Sequence, residues 1–188
     1  MVISLGGSIL VKGEDDSRYI RELLDALSSL ETNIRYIIVT GGGQTARNYI
    51  RIGREAGANE ACLDNIGIQA TRLNAYLVIS AVKENCYPKP FSGLEEAIVG
   101  ASNFRFTIGG GTHPGHTTDA VSALVAEMWG ADLFLNLTAV DGAYTRDPNR
   151  FDDAERIEGM TTGELRRLVS ETSRGAGSHS VLDPLAAE

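Results

Sequence analysis

Three times in this chain a short apolar run ends in a cluster of glycines, and each time a helical pattern follows. Val2 to Leu5 precedes Gly6-Gly7-Ser8, Tyr36 to Thr40 precedes Gly41-Gly42-Gly43, and Phe104 to Ile108 precedes Gly109-Gly110-Gly111. The runs lack the polar alternation of a half-exposed strand, so they read as strands buried on both faces. Asp132 to Thr138 reads as a fourth. Strands of this kind alternating with helices imply an α/β class with a mostly parallel central sheet covered on both sides. Ligands of such sheets bind at the carboxyl ends of the strands, where every one of these glycine turns lies.

The intervening segments carry helical spacing. Asp15 to Leu30 places Ile20, Leu23, Leu24, Leu27 and Leu30 on one stripe. Ala46 to Ala56, Ile66 to Val82 and Val121 to Trp129 follow the same period, with Asp64 and Asn65 at the expected start of the second. Leu94 to Val99 is a short helix or a loop. Thr161-Thr-Gly-Glu164 has the form of a capping box opening a helix over Leu165 to Val169, and Leu182 to Glu188 reads as the start of another.

With 188 residues, 43% of them hydrophobic and 22% charged, the chain suits one globular domain with a sizeable core. The formal net charge of −8 and the lack of a basic stripe argue against a nucleic-acid partner. No apolar run approaches the ~18 residues of a membrane span, and the first residues are too short and glycine-rich for a signal peptide. The expectation is a cytoplasmic protein with no membrane partner. Cys62 and Cys86 form no metal spacing.

The third turn is chemically dense. Between Gly109 and Ala120 it holds two imidazoles, three hydroxyls and the Asp119 carboxylate. Bare backbone N–H groups at a helix N-terminus favour anions. The second turn has Arg47 four residues past Gly43, on the first helical turn, where a guanidinium can hold a phosphate bidentately. Three consecutive glycines there also suggest that something approaches the backbone closely. The first turn fits equally a phosphate cradle or an ordinary strand-to-helix connection. No GxxxxGK[ST] loop and no GxGxxG fingerprint is present. His113 and His116 have HxxH spacing but lack a third ligand at a zinc-site spacing, so they read as hydrogen-bonding groups of a pocket, with no resident metal. Around Asp141-Gly142, Tyr144 could stack on a base and Asp147 accept from an amine or ribose, or the stretch is a turn built on Asp-Gly and Asp-Pro. Several anion cradles without a nucleophile suit transfer between two phosphates, which needs positioning and charge neutralisation more than a base.

Leu5-Gly-Gly-Ser8, Gly41-Gly-Gly-x-x-Ala-Arg47, Ile66-Gly-Ile-x-x-Thr-Arg-x-Asn-Ala75, Gly110-Gly-Thr-His-Pro-Gly-His-Thr-Thr-Asp-Ala120 and Val140-Asp-Gly-x-Tyr-Thr-x-Asp-Pro148 together resemble the amino acid kinase superfamily, and within it the archaeal type of UMP kinase. The resemblance spans the whole chain. It implies a three-layer αβα sandwich, transfer of the ATP γ-phosphoryl group to UMP in pyrimidine nucleotide biosynthesis, Mg²⁺ bound with ATP, and a homo-oligomer, a hexamer built as a trimer of dimers. By position it assigns Gly7, Ser8, Gly43 and Arg47 to the ATP phosphates and Thr138, Tyr144 and Asp147 to the adenosine part. It assigns Gly42 and Asp64 to UMP, with Thr112, His113, Pro114, Gly115, His116, Thr117 and Thr118. Asp119, with Arg47, belongs to the transfer centre as its organising carboxylate.

Two departures accompany the resemblance. Many relatives carry a lysine just before the first Gly-Gly, where this chain has Ile3-Ser4-Leu5; the archaeal group also tends to lack it. The chain ends at Leu185-Ala-Ala-Glu188 where relatives continue, so the expectation is a single domain over 1–188 lacking the C-terminal end of the family fold. That keeps two alternatives: a catalytically impaired nucleotide- or oxyanion-binding protein of the same fold, or another small-molecule kinase such as isopentenyl phosphate kinase. The latter group carries a histidine soon after the second glycine cluster, and Gln44-Thr45-Ala46-Arg47 has none.

Overall fold

The computed structural model describes residues 1–13, 15–83, 85–146, 148, 150–172 and 182–188. It divides into two compact units, Met1–Thr138 and Ala139–Glu188. The first contains, in order, β1 (Val2–Leu5), α1 (Gly7–Leu10), α2 (Asp16–Ser29), β2 (Tyr36–Thr40), α3 (Gly43–Glu55), α4 (Glu60–Ala81), α5 (Leu94–Asn103), β3 (Phe106–Gly109), α6 (Thr118–Trp129) and β4 (Phe134–Leu137). The four strands form one parallel sheet in the order β3-β2-β1-β4. Leu5 stands level with Thr40 on one side and Leu137 on the other, and Val39 with Gly109. All four strands therefore end together, and their turns emerge along one edge.

Side-chain alternation sorts the sheet into two faces. Ile3, Leu5, Tyr36, Ile38, Phe106 and Ile108 pack against Ile9 and Leu10 of α1, Ile20, Leu24 and Leu27 of α2, and Ala75 and Val78 of α4. Val2, Ile37 and Val39 pack against Ala97 and Ala101 of α5 and Val121 and Val125 of α6. That is the expected αβα layering. The strands β1 and β2 are buried throughout, as their uniform apolarity requires. In contrast β4, at one end of the strand order, is half-buried at all four residues, and among the described residues no strand pairs with its outer side. Helix α3 buries only Ala46 and leans on α4 and α1 rather than on the sheet.

The helix boundaries differ from expectation where a polar residue competes for the cap. Helix α4 begins at Glu60, six residues before the apolar period at Ile66, because Asn59 Oδ1 accepts the Cys62 N–H at 2.9 Å. Asp64 is therefore inside the helix, one turn along. Leu94 onwards is a helix that runs to Asn103. The segment ahead of it runs beside β3 through bridges at Cys86 and Phe91.

The second unit holds the two-residue strands β5 (Ala143–Tyr144) and β6 (Arg156–Ile157), paired antiparallel, then α7 (Thr162–Thr172) and α8 (Pro184–Ala187). The capping box is formed as read. Glu164 Oε2 accepts the Thr161 N–H at 2.7 Å, and Thr161 Oγ1 accepts the Glu164 N–H at 3.2 Å. Among the described residues no helix is long and apolar enough to cross a membrane.

Candidate active site

The first two glycine turns interlock. A Cβ placed on Gly7 would fall onto the backbone N of Gly43 and 2.6 Å from the carbonyl O of Gly41. A Cβ on Gly43, whose φ is +57°, would fall onto the Gly7 carbonyl. The close approach that three glycines suggested at Gly41–Gly43 is thus met first by the Gly7 backbone. Only hydrogen at Cα allows α1 and α3 to start this near each other, and both helix N-termini come to the same edge of the sheet.

Helix α4 then braces the second and third turns together. Asn74 Nδ2 donates to the carbonyl of Gly41 at 2.7 Å, from a buried side chain. Thr71 Oγ1 accepts the Gly111 N–H at 2.8 Å and donates to the Ile68 carbonyl at 2.6 Å. Thr40 Oγ1, at the end of β2, donates to the Thr71 carbonyl at 2.8 Å. Arg72 Nε donates to the Gly111 carbonyl at 3.2 Å, while its Nη2 reaches the Ser92 carbonyl at 3.2 Å. Thr71 and Asn74 are buried polar side chains that satisfy buried backbone groups, so removing either would leave a partner unpaired.

These constraints shape a cleft of about 320 Å³. Its lining includes Gly42, Gly43 and Arg47 at the start of α3, Asp64, Ile68 and Thr71 from α4, and His113 to Thr118 from the turn after β3. Asp64 Oδ2 accepts the Gly115 N–H at 2.9 Å, which ties α4 to the tip of that turn. Gly115 has a φ of +82°. The rings of His113 and His116 meet edge to face, with centroids 6.4 Å apart. The turn ends at α6, where Thr117 Oγ1 accepts the Ala120 N–H at 3.1 Å as the N-cap. Asp119 follows in the first turn of α6, and its Oδ1 accepts a 2.7 Å hydrogen bond from Ser4 Oγ on β1. Among the described residues no carboxylate pairs with Arg47, whose Nε donates to Gln44 Oε1 at 3.2 Å.

The sequence-derived residues gather unevenly. Those assigned to UMP line the cleft with the exception of Thr112, which is buried with no hydrogen-bond partner at Oγ1. Arg47 and Gly43, assigned with the donor, line this same cleft. Gly7 and Ser8 open α1 beside the end of β4, where Gly6 N–H donates to the Leu137 carbonyl at 2.8 Å and Thr138 follows. Tyr144 belongs to the second unit and donates to Asp141 Oδ1 at 2.7 Å. Asp147 lies outside the described residues. Thr71, Arg72 and Asn74 had only their motif as a signal, and Ser4 had its hydroxyl inside an apolar strand.

Other chemistries find little support in the geometry. Among the described residues no group of three or more His, Cys, Asp or Glu is placed to hold a metal ion. Burial pushes the half-buried Cys86 thiol up to about 11, which keeps it protonated and unreactive at neutral pH.

Comparison with known proteins gives consistent results. The pattern of the amino acid kinase family matches residues 1–188. Uridylate kinase of Pyrococcus abyssi is 44% identical over 187 residues, covering 100% of this chain and 83% of that protein. Uridylate kinase of Methanobrevibacter smithii is 41% identical over 186 residues, covering 99% of this chain and 82% of that protein. The crystal structure of uridylate kinase from Archaeoglobus fulgidus matches with a TM-score of 0.89 at 42% identity, over 99% of this chain and 83% of that one.

Proposed function

The chain belongs to the amino acid kinase family, and we propose that it transfers the γ-phosphoryl group of ATP to UMP, giving ADP and UDP. The observation that carries this reading is identity above 40%, across essentially the whole chain, to proteins named uridylate kinase. The site agrees with it. An acceptor with its own phosphate needs a cation at one end and ribose and base contacts at the other. Arg47 lines the cleft beside the N-terminus of α3, and Asp64 with His113 and His116 lines the rest. We therefore assign Arg47 to the acceptor phosphate, Asp64 to the ribose and the turn from Thr112 to Thr118 to the base side. Gly7, Ser8 and Thr138, near the carboxyl ends of β1 and β4, are the donor side.

Asp119 joins the two sides. It closes the acceptor turn in sequence and is hydrogen-bonded to the strand that leads into the donor turn. Mg²⁺ would enter bound to the ATP phosphates, where it would neutralise charge on the transferred phosphoryl. The protein's own part is positioning: the acceptor oxygen is already ionised, so holding two anions in line is most of the work. Reaction at this site belongs to pyrimidine nucleotide biosynthesis in the cytoplasm. The isopentenyl phosphate kinase and binding-only alternatives have no observation in their favour.

A coupled ADP-release assay with ATP and Mg²⁺, offering UMP, CMP, AMP and isopentenyl phosphate separately, tests the reading. Turnover with UMP far above the others is expected. Equal or absent turnover with UMP would overturn it.

The oligomer is part of the same reading. Tyr49 and Ile52 of α3 and Leu73, Tyr76 and Leu77 of α4 are large apolar side chains left exposed on adjoining helices. These side chains support an interface on this face, and a second copy of the chain is the occupant we assign to it, in a hexamer built as a trimer of dimers.

A further inference from the structure

We propose that Ser4 is a positioning residue for Asp119, the carboxylate assigned to the transfer centre. The inference rests on the UMP kinase reading. Ser4 is 2% exposed, in a strand whose other residues are Val2, Ile3 and Leu5. Alternation turns it to the same face as Val2, beneath α6. A hydroxyl in such a place is unfavourable unless it is hydrogen-bonded. Its bond runs to Asp119 Oδ1, 115 positions away in sequence, at 2.7 Å. A hydroxyl donating to a carboxylate at that length is a charge-assisted bond, stronger than a neutral one.

The place of the bond gives it a role in catalysis. Asp119 sits in the first turn of α6, directly after the acceptor turn, and Ser4 sits two residues before Gly6 and the donor turn. As two phosphorylated ligands enter, their charge pushes a carboxylate away. A rotamer held from an inner strand of the sheet resists that push, and strand β1 has neighbours on both sides. Ser4 touches neither ligand in this account. It keeps one oxygen of Asp119 engaged, so that the carboxylate stays at the transfer centre at no reorganisation cost during the reaction.

The test measures kcat and KM for UMP and ATP in Ser4→Ala, Ser4→Thr, Asp119→Asn and the Ser4→Ala/Asp119→Asn double variant. Ser4→Ala should lower kcat by about ten- to a hundredfold, as loss of an orienting partner does, with both KM values nearly unchanged. Ser4→Thr keeps the hydroxyl and should recover most of the loss. In the Asp119→Asn background Ser4→Ala should cost little more, since its partner is altered already. Wild-type kcat in Ser4→Ala, a loss confined to KM, or a full loss persisting beside Asp119→Asn would each overturn the role of Ser4. Should Ser4→Ala fail to melt cooperatively, Ser4→Cys, close in volume and a weak donor, carries the same outcomes. Wild-type protein without UMP turnover would instead remove the functional reading, and this inference with it.

Discussion

Asp64 and Asp119 are both carboxylates at the acceptor turn, and their surroundings separate their roles. Asp64 holds the tip of the turn through the Gly115 N–H, so its loss affects binding. Asp64→Ala should raise KM for UMP by about tenfold, the effect of one hydrogen bond involving a charge, with kcat at saturation little changed. Asp119→Asn should do the reverse, lowering kcat by about a hundredfold or more while UMP still binds, and steady-state kinetics beside calorimetric titration with UMP checks both. Gly7 is a different kind of residue, with no chemistry of its own. In Gly7→Ala the new methyl meets the backbone of Gly41 and Gly43, and overpacking of this kind costs about 1–3 kcal/mol. The expected fall in Tm, roughly 5 °C, is read by calorimetry. The dense polar turn from Thr112 to Asp119 could be picked out in the sequence because its chemistry exceeds what a connection needs. Asn74 and Thr71 could not be given roles from their motif alone, since what they bond are backbone atoms some 30 to 40 residues away.

At the scale of elements, α4 has more to do than its apolar period suggests. It covers one face of the sheet with Ala75 and Val78 and ties two glycine turns with Thr71, Arg72 and Asn74. Its start at Glu60, capped by Asn59, lies outside the apolar period, because a cap depends on one side-chain oxygen rather than on periodicity. The segment beside β3 is held from α5 by Glu96. Lys89 Nζ lies 2.8 Å from Glu96 Oε1, and Tyr87 Oη donates to the same oxygen at 2.8 Å. Ser92 gives its N–H and hydroxyl to Oε2 at 2.8 and 2.7 Å. The Lys89 ammonium first, then the Ser92 and Tyr87 donors, lower the Glu96 carboxyl from 4.5 to about 2 against the opposing effect of its burial. A lowered folded-state pKa means stability that is fully present above the ordinary value and lost as pH falls through the lower one. Glu96→Gln should therefore lower Tm at pH 7, and the gap to wild type should close between about pH 5 and pH 2. A gap that stayed constant over that range would show that the carboxylate charge contributes nothing.

For the first unit as a whole, the parallel order β3-β2-β1-β4 brings three turns, far apart in the chain, to one edge, and leaves an apolar face on α3 and α4. Light scattering should report an oligomer, and Leu73→Glu, which puts a charge into that face, should give smaller particles while far-ultraviolet circular dichroism stays the same. Retention of full size would place the contact elsewhere. The amino-acid sequence by itself determined the α/β class, the buried parallel strands and the glycine turns at their ends. Each of these follows from local chemistry: apolar runs too uniform for an exposed strand, and glycine where a side chain would clash. The tertiary structure alone decided which turns touch, that α4 spans two of them, that Arg47 shares a cleft with Asp64, and that Ser4 reaches Asp119. Those relations depend on strand order and register, set by packing of the whole core, and no pattern within a short window of sequence contains them.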